Sequence, residues 1–181
     1  MQYTADEKRQ LLLRSLLALA MIAAAAGVRI APHPWNFTPV GAMALFSGAV
    51  VRNRRIAFLF PLLALFAGDV FVGIHKLMVV VYASFAISVG IGLWLRERRT
   101  VSRIGLATLL GATQFFLITN WGVWEFLTGF PHTGAGLLSC YATGLPLFWN
   151  TLAGDAVYAT LLFGGYAVAE RFLASKAALP A

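Results

Sequence analysis

Six long apolar segments alternate with short polar ones along the whole chain. They cover residues 10–28, 37–51, 56–74, 77–95, 104–122 and 146–168. A helix needs roughly 20 mainly apolar residues to cross the hydrocarbon core of a bilayer, so the pattern predicts six transmembrane helices. The second segment is the shortest and has the least defined ends. We therefore expect an all-α integral membrane protein that forms a single transmembrane domain over residues 1–181.

The composition supports a surface that faces lipid. Of the 181 residues, 60% are hydrophobic and only 12% are charged. A soluble domain has about 25% charged residues, roughly twice the fraction found here. The single cysteine, Cys140, excludes an intrachain disulfide. No basic stripe with interleaved aromatic residues is present, so we expect no nucleic-acid partner.

The basic residues fall almost entirely on one side of this pattern. Of the 14 Lys and Arg residues, all but Arg29 and Lys76 lie at residues 8–14, 52–55, 96–103 and 171–176. Positively charged loops stay in the cytoplasm, so both termini are expected there. The net charge of +7 is therefore a sign of multi-pass membrane topology rather than of a partner.

Two carboxylates, Asp69 and Asp155, lie inside apolar segments toward the opposite, outer face. At about 1.5 Å per residue, they lie roughly 8 Å and 13 Å from the outer ends of their helices. A charge near the bilayer centre costs at least about 2.5–3.5 kcal/mol unless it is paired or wetted. Two interpretations stay open. The carboxylates contact a ligand or cation, or they form buried pairs and hydrogen bonds that hold helices together, with Arg29 as the obvious cation.

The segment at residues 29–41, RIAPHPWNFTPVG, is a candidate lid over the outer face. Its three prolines interrupt the helix and favour a stiff, extended chain. We expect such a lid to present His33 and Asn36 to a ligand. The alternative is a rigid connector in which Trp35 anchors the chain at the headgroups.

A second outer segment, residues 123–145, is predicted to be a long loop between helices five and six. Loops of this length are often functional. Aromatic rings with a few convergent polar groups are typical of small-molecule pockets, so we expect Asn120, Trp121 and Trp124 to face one. The alternative is a loop that lies on the membrane surface with its aromatic rings dipped into it.

No motif for catalysis or metal binding appears in the chain. Walker, GxSxG and HExxH sequences are absent, and the histidines have no ligand spacing. We therefore expect no enzymatic activity, no cofactor and no dedicated metal site.

Four segments resemble an uncharacterised bacterial family of small six-helix membrane proteins described as candidate transport proteins. These are PHPWNFTPVGAMALF, FLITNWGVW, GLLSCYATGLPLFWNTLAGD and LLFGG. The size and six-helix plan are also similar to the S components of energy-coupling-factor vitamin transporters. That resemblance implies a vitamin-like ligand enclosed by the outer loops, and a separate coupling subunit with ATPases. Small residues of helix one would contact the coupling subunit, here Ala20, Ala23, Ala24 and Gly27.

The sequence thus predicts a substrate-binding transport protein of a bacterial cytoplasmic (inner) membrane, which captures a small organic nutrient from the outer face. A corrinoid with a histidine as axial donor is one candidate ligand. The alternative is an accessory subunit of a larger membrane complex, in which the outer loops bind protein, pigment or lipid. The residues expected to contact the ligand are Arg29, His33, Asn36, Asp69, His75, Asn120, Trp121, Trp124, His132, Tyr141, Asn150 and Asp155.

Overall fold

The protein is all-helical throughout the part of the chain that the structure describes. This computed structural model describes the backbone of residues 5–28 and 34–177, and the side chains of residues 9–28, 34–70 and 73–175. The predicted all-α fold is confirmed, and the helices follow the predicted apolar segments in order. They are α1 (Ala5–Val28), α2 (Val40–Val50), α3 (Arg54–Val72), α4 (Met78–Trp94), α5 (Val101–Phe126) and α6 (Gly134–Ala177).

Three helices are long and apolar enough to cross a membrane: Arg9–Val28, Val101–Phe126 and Gly134–Ser175. Large apolar side chains remain exposed on each of them, for example Leu16 and Leu161. Extensive apolar exposure marks a surface whose solvent is lipid. The chain is therefore a membrane protein.

The second helix forms the centre of the bundle. Every residue of α2 from Val40 to Ala49 is buried. Its 11 residues measure about 16 Å along the helix axis. That is shorter than a hydrocarbon core of about 30 Å, so α2 alone does not cover the second predicted span, and residues 37–39 of that span are non-helical. The chain enters the bundle as the non-helical segment 34–39, which is exposed at Pro34 and Trp35 and buried at Pro39, and α2 starts below it.

Glycines allow α2 and α4 to pack backbone against backbone. A Cβ atom on Gly48 would clash with the carbonyl oxygen of Val89, and one on Gly92 would clash with that of Leu45. Small residues at helix contacts permit this close approach in membranes. The two helices therefore fix each other's position.

An acidic and a basic side chain lie at the two ends of α2. At its N-terminus, Asp155 of α6 accepts a hydrogen bond from the backbone N–H of Ala42 at 3.0 Å. At its C-terminus, the Arg96 guanidinium donates to the carbonyl oxygens of Gly48 and Val51 at 2.7 and 2.6 Å. An acid at the positive end of the helix dipole and a base at the negative end satisfy backbone groups that the helix leaves unpaired. These contacts stabilise a short helix inside the bundle.

The two ends of the bundle differ in chemistry. One end, here called the basic face, carries the start of α1, the turns at 51–53 and 95–100, and the end of α6. The other end, here called the aromatic face, carries segment 34–39 and the turns at 73–77 and 127–133. Arg14 of α1 pairs with Glu170 of α6 at 3.7 Å on the basic face. On the aromatic face, Asn150 of α6 donates to the carbonyl oxygen of Trp35 at 3.0 Å.

The predicted long loop at residues 123–145 is wrong. Helix α5 continues to Phe126 and α6 begins at Gly134, which leaves only residues 127–133 between them. Pro146, taken from the sequence as the start of the last helix, lies inside α6. Membrane helices tolerate proline because neighbouring groups satisfy the freed backbone.

Candidate functional site

A cavity of about 230 Å³ lies between α4, α5 and α6 near the aromatic face, and we call it the aromatic cavity. Three phenylalanine rings and several aliphatic side chains form most of its wall. Four polar side chains, two amides and two hydroxyls, also reach it. The lining residues are Asn36, Leu77, Val81, Phe115, Phe116, Thr119, Asn120, Val123, Gly144, Leu147, Phe148 and Thr151.

Helices α5 and α6 each present one face to the aromatic cavity. Successive lining positions are separated by one to four residues, the spacing of a single helical face: 116, 119, 120 and 123 on α5, and 144, 147, 148 and 151 on α6. The Asn120 amide nitrogen donates to the Phe116 carbonyl oxygen at 2.9 Å. A Cβ atom on Gly144 would clash with the Asn120 amide oxygen. Glycine at this position therefore lets Asn120 lie against α6.

Segment 34–39 places Asn36 at the edge of the aromatic cavity. Asn36 has a φ of 60°, the left-handed conformation that asparagine tolerates better than most residues. The backbone N–H of Phe37 donates to the carbonyl oxygen of Pro34 at 3.0 Å, which closes a tight turn. Since Asn150 also holds the Trp35 carbonyl oxygen, the turn is attached to α6. These contacts hold Asn36 in place at the edge of the cavity.

Trp121 and Trp124, the two tryptophans predicted to face the pocket, do not line the aromatic cavity. Trp124 donates its indole N–H to the carbonyl oxygen of Pro131 at 3.0 Å, and a ring nitrogen of His132 lies 2.8 Å from the Trp124 carbonyl oxygen. Trp121 is 44% exposed and packs edge-on against Phe126. The cause is that α5 continues for one more turn beyond its predicted end at residue 122, so neighbouring side chains of that turn point in different directions.

Four other predicted ligand residues and Cys140 lie outside the lining. The Tyr141 hydroxyl donates to the carbonyl oxygen of Leu117 at 2.8 Å, and the Cys140 thiol lies 3.3 Å from that of Asn120. Both contacts fasten α6 to α5 beside the cavity. His75 is exposed in the turn at 73–77. Asn150 donates to the carbonyl oxygen of Trp35, and a ring nitrogen of His132 contacts the carbonyl oxygen of Trp124.

Both buried carboxylates have partners within the bundle. Asp69 is 2% exposed and accepts a hydrogen bond from the Tyr82 hydroxyl at 2.8 Å. Asp155 is 3% exposed and caps α2, while a Cβ atom on Gly41 would clash with its carboxylate. Neither lines the aromatic cavity. Their predicted burial is confirmed, and these contacts agree with the interpretation that they hold helices together.

Two predicted ligand residues, Arg29 and His33, lie outside the described residues. Among the described side chains, no three His, Cys, Asp or Glu residues come close enough together to hold a metal ion.

Sequence reasoning missed several lining residues, among them Thr119, Phe148 and Thr151. A usable signal was present in the helical spacing of polar and aromatic residues on each side of the turn. Because residues 123–145 were assigned to a loop, Asn120 and Val123 were not recognised as positions on one face of a helix. The same holds for Gly144 and Thr151.

Comparison with protein families gives a match over nearly the whole chain. The family of unknown function DUF6580 matches residues 9–178, which is nearly the whole chain. Comparisons with curated proteins and with solved structures give no match.

Proposed function

Because the chain belongs to DUF6580, a family without an assigned activity, we propose its function from the aromatic cavity. It is a substrate-binding transport protein of a bacterial cytoplasmic membrane, crosses that membrane six times and captures a small organic nutrient at its outer face. The observation that carries the proposal is the aromatic cavity, which Asn36 of segment 34–39 borders. A mostly apolar wall with a few convergent polar groups is the usual construction of a small-molecule site.

The lining indicates the chemistry of the nutrient. Both lining threonines already donate their hydroxyl protons to carbonyl oxygens of their own helices, Thr119 at 2.7 Å and Thr151 at 2.9 Å. Asn120 likewise uses an amide N–H within α5. These three side chains therefore offer oxygen lone pairs, which suit a ligand that carries N–H or O–H donors. The described lining has no charged side chain, and its phenylalanine rings suit a flat, uncharged molecule.

The size of the cavity favours a small nutrient. Ligand pockets for drug-sized molecules measure about 300–1,000 Å³, and the aromatic cavity is smaller, at about 230 Å³. A single ring system with short substituents fits this volume better than a corrinoid does.

The small residues of α1 support a separate coupling subunit. Ala20, Ala23, Ala24 and Gly27 are all exposed, whereas the packing face of α1 uses other residues, such as Ile22. Small-residue positions that face lipid permit a second membrane helix to approach closely. Under this proposal the coupling subunit and its ATPases supply the energy for uptake.

The test fills the aromatic cavity while a matched variant leaves it open. Val81→Phe places a large ring inside the cavity, whereas Val79→Phe makes the same change two residues away at a site that is 80% exposed. Protein purified in mild detergent is examined by native mass spectrometry for a small adduct, which is then identified. We expect Val81→Phe to lower adduct occupancy at least tenfold and Val79→Phe to leave it unchanged.

Two results would contradict the proposal. Equal adduct occupancy in both variants would place the nutrient outside the aromatic cavity. A protein without any adduct that copurifies in fixed ratio with another membrane protein would identify an accessory subunit instead.

A second variant, Asn36→Gly, keeps the left-handed backbone and removes only the amide, so it should weaken binding without unfolding the protein.

A further inference from the structure

A second cavity, of about 260 Å³, lies at the basic face, and we call it the basic cavity. Its lining includes four guanidinium groups, from Arg14, Arg52, Arg96 and Arg99. Among the described lining residues, Glu170 supplies the one carboxylate, and it lies 3.7 Å from Arg14 and from Arg99. The described lining therefore holds an excess of three positive charges.

Two of these four arginines, Arg14 and Arg96, are partly buried. Burial, followed by the charge of Arg54, lowers the pKa of Arg96, as expected for a cation among cations. The Nε atom of Arg14 is buried and has no hydrogen-bond partner among the described residues. Arg99 lies above the ring of Tyr166, with 5.8 Å between the guanidinium carbon and the ring centroid. Guanidinium groups bind phosphate oxygens in paired hydrogen bonds, so the basic cavity matches a phosphate group in charge and in the type of donor it offers.

An apolar groove of about 420 Å³ between α5 and α6 adjoins the basic cavity, and Arg99 lines both. The groove follows α6 from Ala167 to Leu152, about 22 Å at 1.5 Å per residue, away from the basic face. Gly105 and Gly164 border it, and a Cβ atom on either would meet open space. The protein's own side chains therefore leave the groove unfilled.

We propose that the basic cavity and the groove together bind one anionic phospholipid. Its phosphate lies among the guanidinium groups, and one acyl chain lies between α5 and α6. Basic clusters at the cytoplasmic surface attract anionic lipid headgroups, and basic pockets between membrane helices bind them specifically. Arg99 lines both the basic cavity and the apolar groove, and the groove is about as long as an acyl chain. A soluble anion would need the basic cavity but not the groove. This lipid site is at the opposite end of the bundle from the proposed nutrient site and does not depend on it.

The first experiment measures headgroup preference. The purified protein is mixed with phosphatidylglycerol or with phosphatidylcholine of the same acyl chains, and lipid retention is measured by native mass spectrometry. We expect at least about fivefold stronger retention of phosphatidylglycerol, and a loss of about fivefold in Arg99→Gln, the effect of one basic group near such a headgroup. Arg98→Gln is the matched control, because Arg98 is exposed in the same turn and lines neither the cavity nor the groove.

The second experiment separates a lipid from free phosphate. Gly164→Leu fills the groove and should lower phosphatidylglycerol retention, whereas Gly90→Leu, at an open position on α4, should not. If inorganic phosphate displaces the lipid fully and Gly164→Leu has no effect, the site binds a soluble phosphate and the proposal is wrong. Equal retention of the two lipids by the wild type also overturns it. Arg52→Gln repeats the headgroup test should Arg99→Gln fail to fold, as judged by circular dichroism.

Discussion

Asp155 and Ala42 are 113 positions apart in the sequence, yet their hydrogen bond joins α6 to the first turn of α2. The first backbone N–H groups of a helix have no partner within it, and both Ala42 and Asp155 are buried. The carboxylate satisfies one of them and also lies at the positive end of the helix dipole. Gly41 makes this approach possible, because any side chain there would occupy the position of the carboxylate.

We predict that Gly41→Ala destabilises the protein because its new methyl group displaces the Asp155 carboxylate. Overpacking of this kind costs about 1–3 kcal/mol. Asp155→Ala should cost about 1–2 kcal/mol, the usual effect of removing a helix N-cap. Unfolding in detergent, followed by circular dichroism, measures both changes.

The double variant Gly41→Ala/Asp155→Ala provides the control for this mechanism. With the carboxylate removed, the methyl group has space, so the two losses should sum to more than the double variant shows. Strict additivity would mean that Gly41 acts on stability independently of Asp155.

The burial of Asp69 and Asp155 could be predicted from the sequence, since a carboxylate inside an apolar segment must face the bundle. Their partners could not be predicted, because Tyr82 and Ala42 belong to other helices whose packing the sequence does not specify. The directions of the Trp121 and Trp124 side chains could not be predicted from the sequence either. They depend on whether α5 ends before or after residue 124, and the sequence pattern favoured the earlier end.

At the scale of helices, the glycines of α4 have two different roles. Gly92 touches the backbone of α2 at Leu45, whereas Gly90 faces open space two residues earlier. Backbone cannot move aside as a flexible side chain can. A methyl group at Gly92 must therefore push the two helices apart.

We predict that Gly92→Ala destabilises the protein by about 1–3 kcal/mol, the usual range for overpacking. Gly90→Ala should be neutral or stabilise the protein by up to about 1 kcal/mol, because alanine favours the helix. Thermal unfolding of both variants in the same detergent tests the difference. Similar melting temperatures for the two variants would show that the α2–α4 contact does not limit stability.

The number and order of helices could be predicted because apolar periodicity and length are local properties of the chain. The extent of α5 and α6 could not. Residues 120–145 mix tryptophan, glycine, proline and polar side chains, a composition typical of loops, while helix contacts across the bundle hold most of them in helices. The short, fully enclosed α2 was also unpredictable, since its surroundings come from five other helices.

At the scale of the whole molecule, α2 connects the two faces. Its N-terminus is capped by Asp155, four residues along α6 from Thr151 of the aromatic cavity. Its C-terminus is held by Arg96, whose guanidinium lines the basic cavity. A shift of α2 along its axis would therefore alter both cavities together. The fold thus places the proposed nutrient site and the proposed lipid site at opposite ends of one buried helix.

The placement of charge predicts which face is cytoplasmic. The basic face carries Arg98 in the turn at 95–100, and the aromatic face carries Thr128 in the turn at 127–133; both residues are exposed. Because basic loops stay in the cytoplasm, a membrane-impermeant maleimide added to spheroplasts should label Thr128→Cys but not Arg98→Cys. Permeabilisation should then expose Arg98→Cys to the reagent. The native Cys140 is 2% exposed and should give a low background in both variants. Labelling of Arg98→Cys before permeabilisation would reverse the orientation, place the aromatic cavity in the cytoplasm and exclude capture of a nutrient from outside.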